Sequence, residues 1–377
     1  MAQQANNRSG GRVDMVRYGM IGCGMMGREH IQNINLIQNT SVAAIFEPDQ
    51  HMAGAAQALA PDATMVDSLD ALLAIENLDA LVITSPNFEH ANQLRAIAAN
   101  RTIPILCEKP LITDAQDRDF VLSMHRDYRA PVWVAMEYRY MPPIKALIDQ
   151  AFETTGGINM LTIREHRFPF LEKVGDWNRF NKYSGGTFVE KCCHFFDLMR
   201  LILRDEPVRV MASAAQDVNH LNEVYNNQPS DIWDNGYVIV DFKGGARAML
   251  ELCMFAEGSR YQEDVSAVGP NGRIEARVPG PLRFWPKALG EPPVPKLIRS
   301  YRGTPRIEEE DMVVPADLLM AGDHNGSTFY QHLGFNAVVR GEKSTVDVSL
   351  IDGLRAVEMG MAAQESARTG QSVSLSL

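Results

Sequence analysis

The chain has 377 residues, longer than one ordinary domain, which points to two. Its 45% hydrophobic and 22% charged residues are those of a globular protein, and a net charge of −11 argues against nucleic acid and anionic membranes as partners. No apolar run is long enough to span a bilayer, and so acidic a chain suits a neutral substrate better than an anionic one.

Residues 1–14 are polar and lack an apolar stretch. They read as a disordered tail rather than a signal peptide, which places the protein in the cytoplasm. The five cysteines are Cys23, Cys107, Cys192, Cys193 and Cys253. Their number is odd and no pair has metal-ligand spacing, so reduced, buried thiols are the plain reading. A vicinal redox pair at Cys192-Cys193 is the alternative.

Next comes an apolar run from Val16 to Met20, then Ile21-Gly22-Cys23-Gly24-Met25-Met26-Gly27, then a helical pattern with Ile31, Ile34 and Ile37 on one side. A second strand follows from Ser41 to Phe46 and ends at an acid, Glu47. Strand, glycine turn, helix, strand and acid is the order a dinucleotide site requires. Gly22 permits the tight turn, Gly24 lets the backbone approach a pyrophosphate, and Gly27 lets helix and strand pack closely. The helix N-terminus offers free N–H groups to the phosphates. A carboxylate at position 47 binds both ribose hydroxyls and repels a 2′-phosphate, so the expected cofactor is NAD rather than NADP.

The alternation continues to about residue 140. Helices are expected from Ser68, through His90 to Ile97 and around 117–126; strands fall at 80–84, 103–107 and 132–136. Apolar strands alternating with amphipathic helices predict a doubly wound Rossmann domain over 15–140. After Met141-Pro142-Pro143, strand-like runs at 159–168, 207–215, 237–242, 246–255 and 262–268 predict a largely antiparallel sheet. One of its faces would meet solvent or another subunit. Helices are expected near 190–203, 325–340 and 350–367, and Gly280 to Arg306 reads as a long loop. The fold class is therefore α/β, with residues 141–377 forming a substrate-binding and oligomerisation domain.

Hydride leaves a secondary alcohol only as its hydroxyl proton departs, so a base must reach that oxygen and a cation must steady it. Cys107-Glu108-Lys109-Pro110 ends a parallel strand, the edge where ligands bind in such sheets. A surface Lys-Pro turn would look the same. In Gly185-Gly186-Thr187-Phe188-Val189-Glu190-Lys191-Cys192-Cys193-His194-Phe195-Phe196-Asp197, a helix would put Glu190, His194 and Asp197 on one face. That suits a histidine base with a carboxylate to orient it, and ordinary helical ion pairing suits it equally. With no second histidine at suitable spacing, no metal is expected.

The glycine motif, Thr84-Ser85-Pro86-Asn87 with His90, Glu108-Lys109-Pro110 and the Gly-Gly…Glu…His…Asp segment resemble, in content and order, the Gfo/Idh/MocA oxidoreductases, the family of glucose-fructose oxidoreductase and inositol 2-dehydrogenase. The resemblance runs from residue 16 onward. It implies an N-terminal Rossmann domain and a C-terminal α/β domain with a large open, mostly antiparallel sheet that often mediates oligomerisation. A homo-oligomer, dimer or tetramer, would form through that sheet. Carried over by position, Lys109 is similar to the family's active-site lysine and His194 to its catalytic histidine. Glu190 stands where the usual residue is aspartate, a departure that leaves its partner open, and Lys191 could pair with it instead. Met25, Met26, Thr84, Ser85, Pro86, Asn87, His90 and Glu108 fall at the cofactor. Tyr138, His166, Trp177, Arg179 and His324 are substrate candidates beside Lys109, Glu190 and His194.

The expected activity is NAD-dependent oxidation of a ring hydroxyl of a neutral cyclitol or sugar to a ketone or lactone, with His194 as base assisted by Lys109. The resemblance also admits a glycosidase that oxidises C3 transiently with bound NAD, an oxidase of intact glycosides at C3, and a non-catalytic dinucleotide-sensing regulator.

Overall fold

The computed structural model describes residues 15–376; the tail expected at 1–14 lies outside the described residues. The first sheet contains β1 (Val16–Ile21), β2 (Thr40–Phe46), β3 (Thr64–Val66), β4 (Ala80–Ile83), β5 (Ile105–Cys107) and β6 (Val132–Val134). All pairings are parallel, and the order is β3-β2-β1-β4-β5-β6. β4, β5 and β6 are buried at every residue because helices cover both faces of the sheet. Strand order reverses between β1 and β4, and a ligand crevice opens at such a switch point, outside the C-terminal ends of the strands. The loops after β1, β2, β4 and β5 all emerge there. They carry Gly22, Glu47, Ser85 and Lys109 respectively.

Helix Met25–Asn35 follows the glycine turn. Asp49 caps helix Gln50–Leu59 by accepting from Met52 N, and Ser68 caps helix Leu69–Leu73 by accepting from Ala71 N. Helix Gln50–Leu59 and β3 went unread in the sequence, because the helix is alanine-rich with a weak apolar stripe and β3 is only three residues long.

The second sheet takes its strands from β7 (Met160–His166), β8 (Pro207–Ala215), β11 (Asn235–Phe242), β12 (Arg247–Cys253), β13 (Glu263–Gly269), β14 (Gly272–Val278), β15 (Lys296–Tyr301), β16 (Ile307–Asp311) and β17 (Val373–Ser374). Between them, β9 (Val224–Tyr225) and β10 (Gln228–Pro229) form a separate small hairpin. The sheet order is β16-β15-β14-β13-β7-β12-β11-β8-β17, antiparallel except between β7 and β12. Helices Pro142–Thr155 and Leu350–Thr369 pack against it. Large apolar side chains remain exposed on β11, with Tyr237 at 56% and Ile239 at 43%.

Two expectations change. The stretch from 280 to 306 is not one loop, since β15 runs through it and pairs with both β14 and β16. The helix expected at 190–203 is two, Thr187–Glu190 and Cys193–Leu203. The later helices also return to the first sheet: Ser327–Val339 packs on Met25–Asn35, and Val134 N donates to Val348 O across 3.1 Å.

Candidate active site

Each motif glycine has its own steric reason. Gly22 has φ +80°, and a Cβ there would lie 2.6 Å from the Ser85 backbone. A Cβ on Gly27 would lie 2.6 Å from Gly22 O. On Gly24 it would meet nothing within 4 Å, because it would project into a cavity of about 550 Å³. Folding therefore does not require glycine at 24, whereas a ligand passing over the turn does. Gly24→Val should keep the wild-type melting temperature and weaken NAD binding by about tenfold or more, read by fluorescence titration. Unchanged affinity would remove the turn from the cofactor's path.

Gly22, Gly24, Glu47, Ser85 and Lys109, the residues expected along a dinucleotide, all line this cavity. Glu47 stands on its wall with Oε2 accepting from Cys23 N at 2.5 Å and Oε1 from Asp49 N at 2.8 Å, which fixes the carboxylate at the end of β2. Glu47→Ala should raise NADP use relative to NAD, measured as the ratio of kcat/KM. An unchanged ratio would show that residue 47 does not read the ribose. Met25, Met26, Thr84, Ser85, Pro86 and Asn87 line the same cavity. Asn87 is buried and its Nδ2 has no protein partner, leaving a donor for a ligand. The Thr84 hydroxyl donates to Gly22 O, and Ser85 Oγ donates to Gln93 Oε1 at 2.6 Å.

His90 does not line the cavity. It is fully buried between Pro110 O, at 2.8 Å, and Ser85 O, at 3.1 Å, and buckles the loops after β4 and β5 together. Glu108 does line it, with Oε1 2.8 Å from His30 Nε2 and Oε2 accepting from Lys109 N. Burial would raise the Glu108 pKa, but the hydrogen bond and charge of His30, with Lys109, hold it below the usual value. The Lys109-Pro110 bond is cis.

Lys109 borders both this cavity and a smaller adjoining one of about 90 Å³. The smaller cavity is also lined by Glu190, His194, Tyr138 and His324, so the structure brings these sequence candidates together around one space. Lys109 Nζ donates to Glu190 O at 3.1 Å. Burial disfavours the Lys109 charge, yet Cys193, Glu108, Glu190 and Glu137 outweigh it and raise the pKa, so the lysine stays a cation. Burial, with Lys109 and Lys191 nearby, pushes His194 well below the usual imidazole value. A neutral His194 stacks on Tyr138 with ring centroids 4.1 Å apart, and its Nδ1 has no protein partner.

Neither expected carboxylate orients this histidine. The chain breaks between the two short helices, so Glu190 and His194 do not share a helix face. Glu190 Oε2 has no partner; burial raises its pKa, and Lys109 and Lys173 oppose the rise. Asp197 is held by Arg139, whose Nε donates to Oδ2 at 2.5 Å. Lys191 pairs with Glu165 at 2.8 Å rather than with Glu190, and its Nζ donates to the Tyr138 hydroxyl.

Two substrate candidates lie elsewhere. His166 bonds Glu251 at 2.8 Å and borders neither cavity; strand alternation turns its buried neighbour Glu165 toward Lys191 instead. Arg179 is buried against Glu223 at 3.0 Å. Trp177 lines the larger cavity beside Phe88, 6.3 Å away.

The sequence reading missed Glu137, Arg167 and Lys173, which also line the smaller cavity. Glu137 had a signal, since it follows β6 at the ligand-binding edge of the sheet. Lys173 sits in an irregular segment with none.

Two family models match the chain. One, "Oxidoreductase family, NAD-binding Rossmann fold", covers residues 16–136; the other, "Oxidoreductase family, C-terminal alpha/beta domain", covers residues 150–375. The chain belongs to the Gfo/Idh/MocA oxidoreductase family. Its cofactor is accordingly NAD, and the protein is an oxidoreductase. Among relatives, inositol 2-dehydrogenase of Rhizobium meliloti strain 1021 is 31% identical over 273 residues, 71% of this chain and 77% of that one. Inositol 2-dehydrogenase of Corynebacterium glutamicum strain R is 33% identical over 277 residues, 72% of this chain and 76% of that one. The fold is shared with levoglucosan dehydrogenase solved with NADH and levoglucosan, at TM-score 0.77 and 18% identity, covering 95% of this chain and 99% of that one. No helix among the described residues is long and apolar enough to cross a membrane.

Proposed function

We propose that this family member is an NAD-dependent dehydrogenase that oxidises a ring hydroxyl of a neutral cyclitol or sugar. The observation that carries the reading is Lys109. It borders the dinucleotide cavity and the smaller cavity that holds His194. A cation and a neutral imidazole on one small space are the pair that alcohol oxidation needs.

Bound NAD supplies the hydride acceptor. The Gly22–Gly27 turn and Glu47 hold the cofactor, and Lys109 hydrogen-bonds the substrate oxygen and stabilises alkoxide character. His194 takes the hydroxyl proton on its neutral imidazole. Glu190, with a free Oε2, and Tyr138 bound a pocket for the neighbouring hydroxyls. The names of the inositol and levoglucosan enzymes support a polyol or sugar as substrate class. The exposed β11 face supports a homo-oligomer built through the second sheet, and five free cysteines, four of them buried, suit the reducing cytoplasm.

The test is a screen of NAD reduction with inositol isomers, aldoses of both hands, anhydrosugars and simple glycosides. Net NADH with at least one cyclitol or sugar is expected. Cleavage of a glycoside with no net NADH would replace the reading with glycosidase chemistry. Binding of NAD with no turnover of any kind would leave a sensor.

A further inference from the structure

Glu137 opens a 3-10 turn just past β6 and is 1% exposed. A buried carboxylate ordinarily takes a lysine or arginine partner. The ion-pair neighbours of Glu137 are instead two histidines: Oε1 is 4.0 Å from His194 Nε2 and 3.7 Å from His324 Nε2. His324 Nδ1 is 2.8 Å from Glu29 Oε1, and the His324 side chain, which lines the same smaller cavity, is 19% exposed, so the series runs from the buried histidine to a partly exposed one. The Thr328 hydroxyl lies 2.8 Å from Glu29 Oε1 and 3.0 Å from Glu137 Oε2. A hydroxyl donates one proton, so both contacts are hydrogen bonds only when one of the two carboxyls carries a proton of its own. The cluster is built to hold an exchangeable proton.

We infer that Glu137 and His324 carry the proton released at His194 out of the cleft. The inference rests on His194 as the base. Oxidation of a secondary alcohol by NAD+ gives the ketone, NADH and one proton: the carbinol C–H bond breaks with its electron pair passing to the nicotinamide, and the O–H bond breaks as the carbonyl forms. That proton passes from the substrate oxygen to His194 and on to Glu137, while His324, already protonated, gives its own proton to water and then takes up the one held by Glu137. The 4.0 and 3.7 Å gaps exceed a hydrogen bond, so each transfer needs a small side-chain shift or a bridging water. The energetics favour passage of the proton from His194 as far as His324. Burial and the cations Lys109, Lys191, His324 and Arg167 make an imidazolium at His194 costly. Burial, with Glu108 and Glu29 nearby, raises Glu137 against the opposing pull of His324 and His30. Burial disfavours a charged His324, but Glu137 and Glu29 overcome it and lift the pKa to about 9.

The experiment uses the full chain with NAD and the substrate found by the screen. It compares wild type, Glu137→Gln, His324→Gln, the double variant and His194→Ala. For Glu137→Gln the expected result is a fall in kcat of about tenfold or more with KM within about twofold. NAD titration should stay unchanged, and added imidazole should restore part of the rate. Along one route the double variant should lose no more than Glu137→Gln alone. Wild-type kcat in Glu137→Gln, with His194→Ala inactive, would overturn the relay alone. So would a loss confined to KM, additive losses without imidazole rescue, or a rate that needs added Zn2+ or Mn2+. Wild-type turnover in His194→Ala would overturn the relay together with the functional reading beneath it.

Discussion

His194→Ala and Lys109→Met are each expected to lower turnover by about two orders of magnitude or more while NAD still binds. Both side chains are held by contacts that outlast loss of the partner. His194 is clamped by its stack on Tyr138 and by the buried helix Cys193–Leu203; Lys109 follows β5 and reaches Glu190 O. Removing one therefore removes chemistry more than architecture. Loss of the imidazole removes the acceptor for the hydroxyl proton. Loss of the ammonium leaves alkoxide character unsupported. Steady-state kinetics with a parallel NAD titration checks both, and the double variant should lose less than the product of the single losses, because the two groups act on one oxygen. Wild-type turnover in both single variants would end the assignment.

Asp197→Ala is expected to destabilise the protein by about 3–5 kcal/mol, because it leaves the Arg139 guanidinium buried and unpaired. Arg139 is 8% exposed and also donates from Nη1 to Asp347 O at 2.7 Å, so it ties the turn after β6 to the helix of His194 and to the chain before helix Leu350–Thr369. Chemical denaturation checks the stability, and the acid limb of the kcat pH profile checks the role. A lower midpoint with an unmoved limb is the expected pair of results. An unmoved midpoint with a shifted limb would make Asp197 a partner of the histidine after all.

Asp197 also shows where the sequence stops being legible. A spacing of i, i+4, i+7 was a sound argument for one helix face. The two short helices break it, and a distant arginine, 58 residues away in the chain, claims the acid. The glycine turn was legible because each of its glycines answers to a local backbone demand or to the ligand. Lys109 and His194 were legible through motif order, and the structure gathers them at one cavity. Glu137, Glu29 and His324 meet only because helix Met25–Asn35, the turn after β6 and the segment before helix Ser327–Val339 converge, and no local pattern encodes such a meeting. β15 was hidden by prolines and glycines clustered just before it, between 280 and 295. His166 was misplaced by one step of strand alternation, which sends neighbouring residues to opposite faces.

The central claim is that a hydride leaves a substrate carbon for NAD in the cleft of Lys109 and His194. The direct measurement is mass spectrometry of the cofactor after turnover of a substrate deuterated at the carbinol carbon. One deuterium per NADH formed, with a slowed rate of hydride transfer, is the predicted result. Product formed while the cofactor remains oxidised, with no net deuterium in it, would contradict the account.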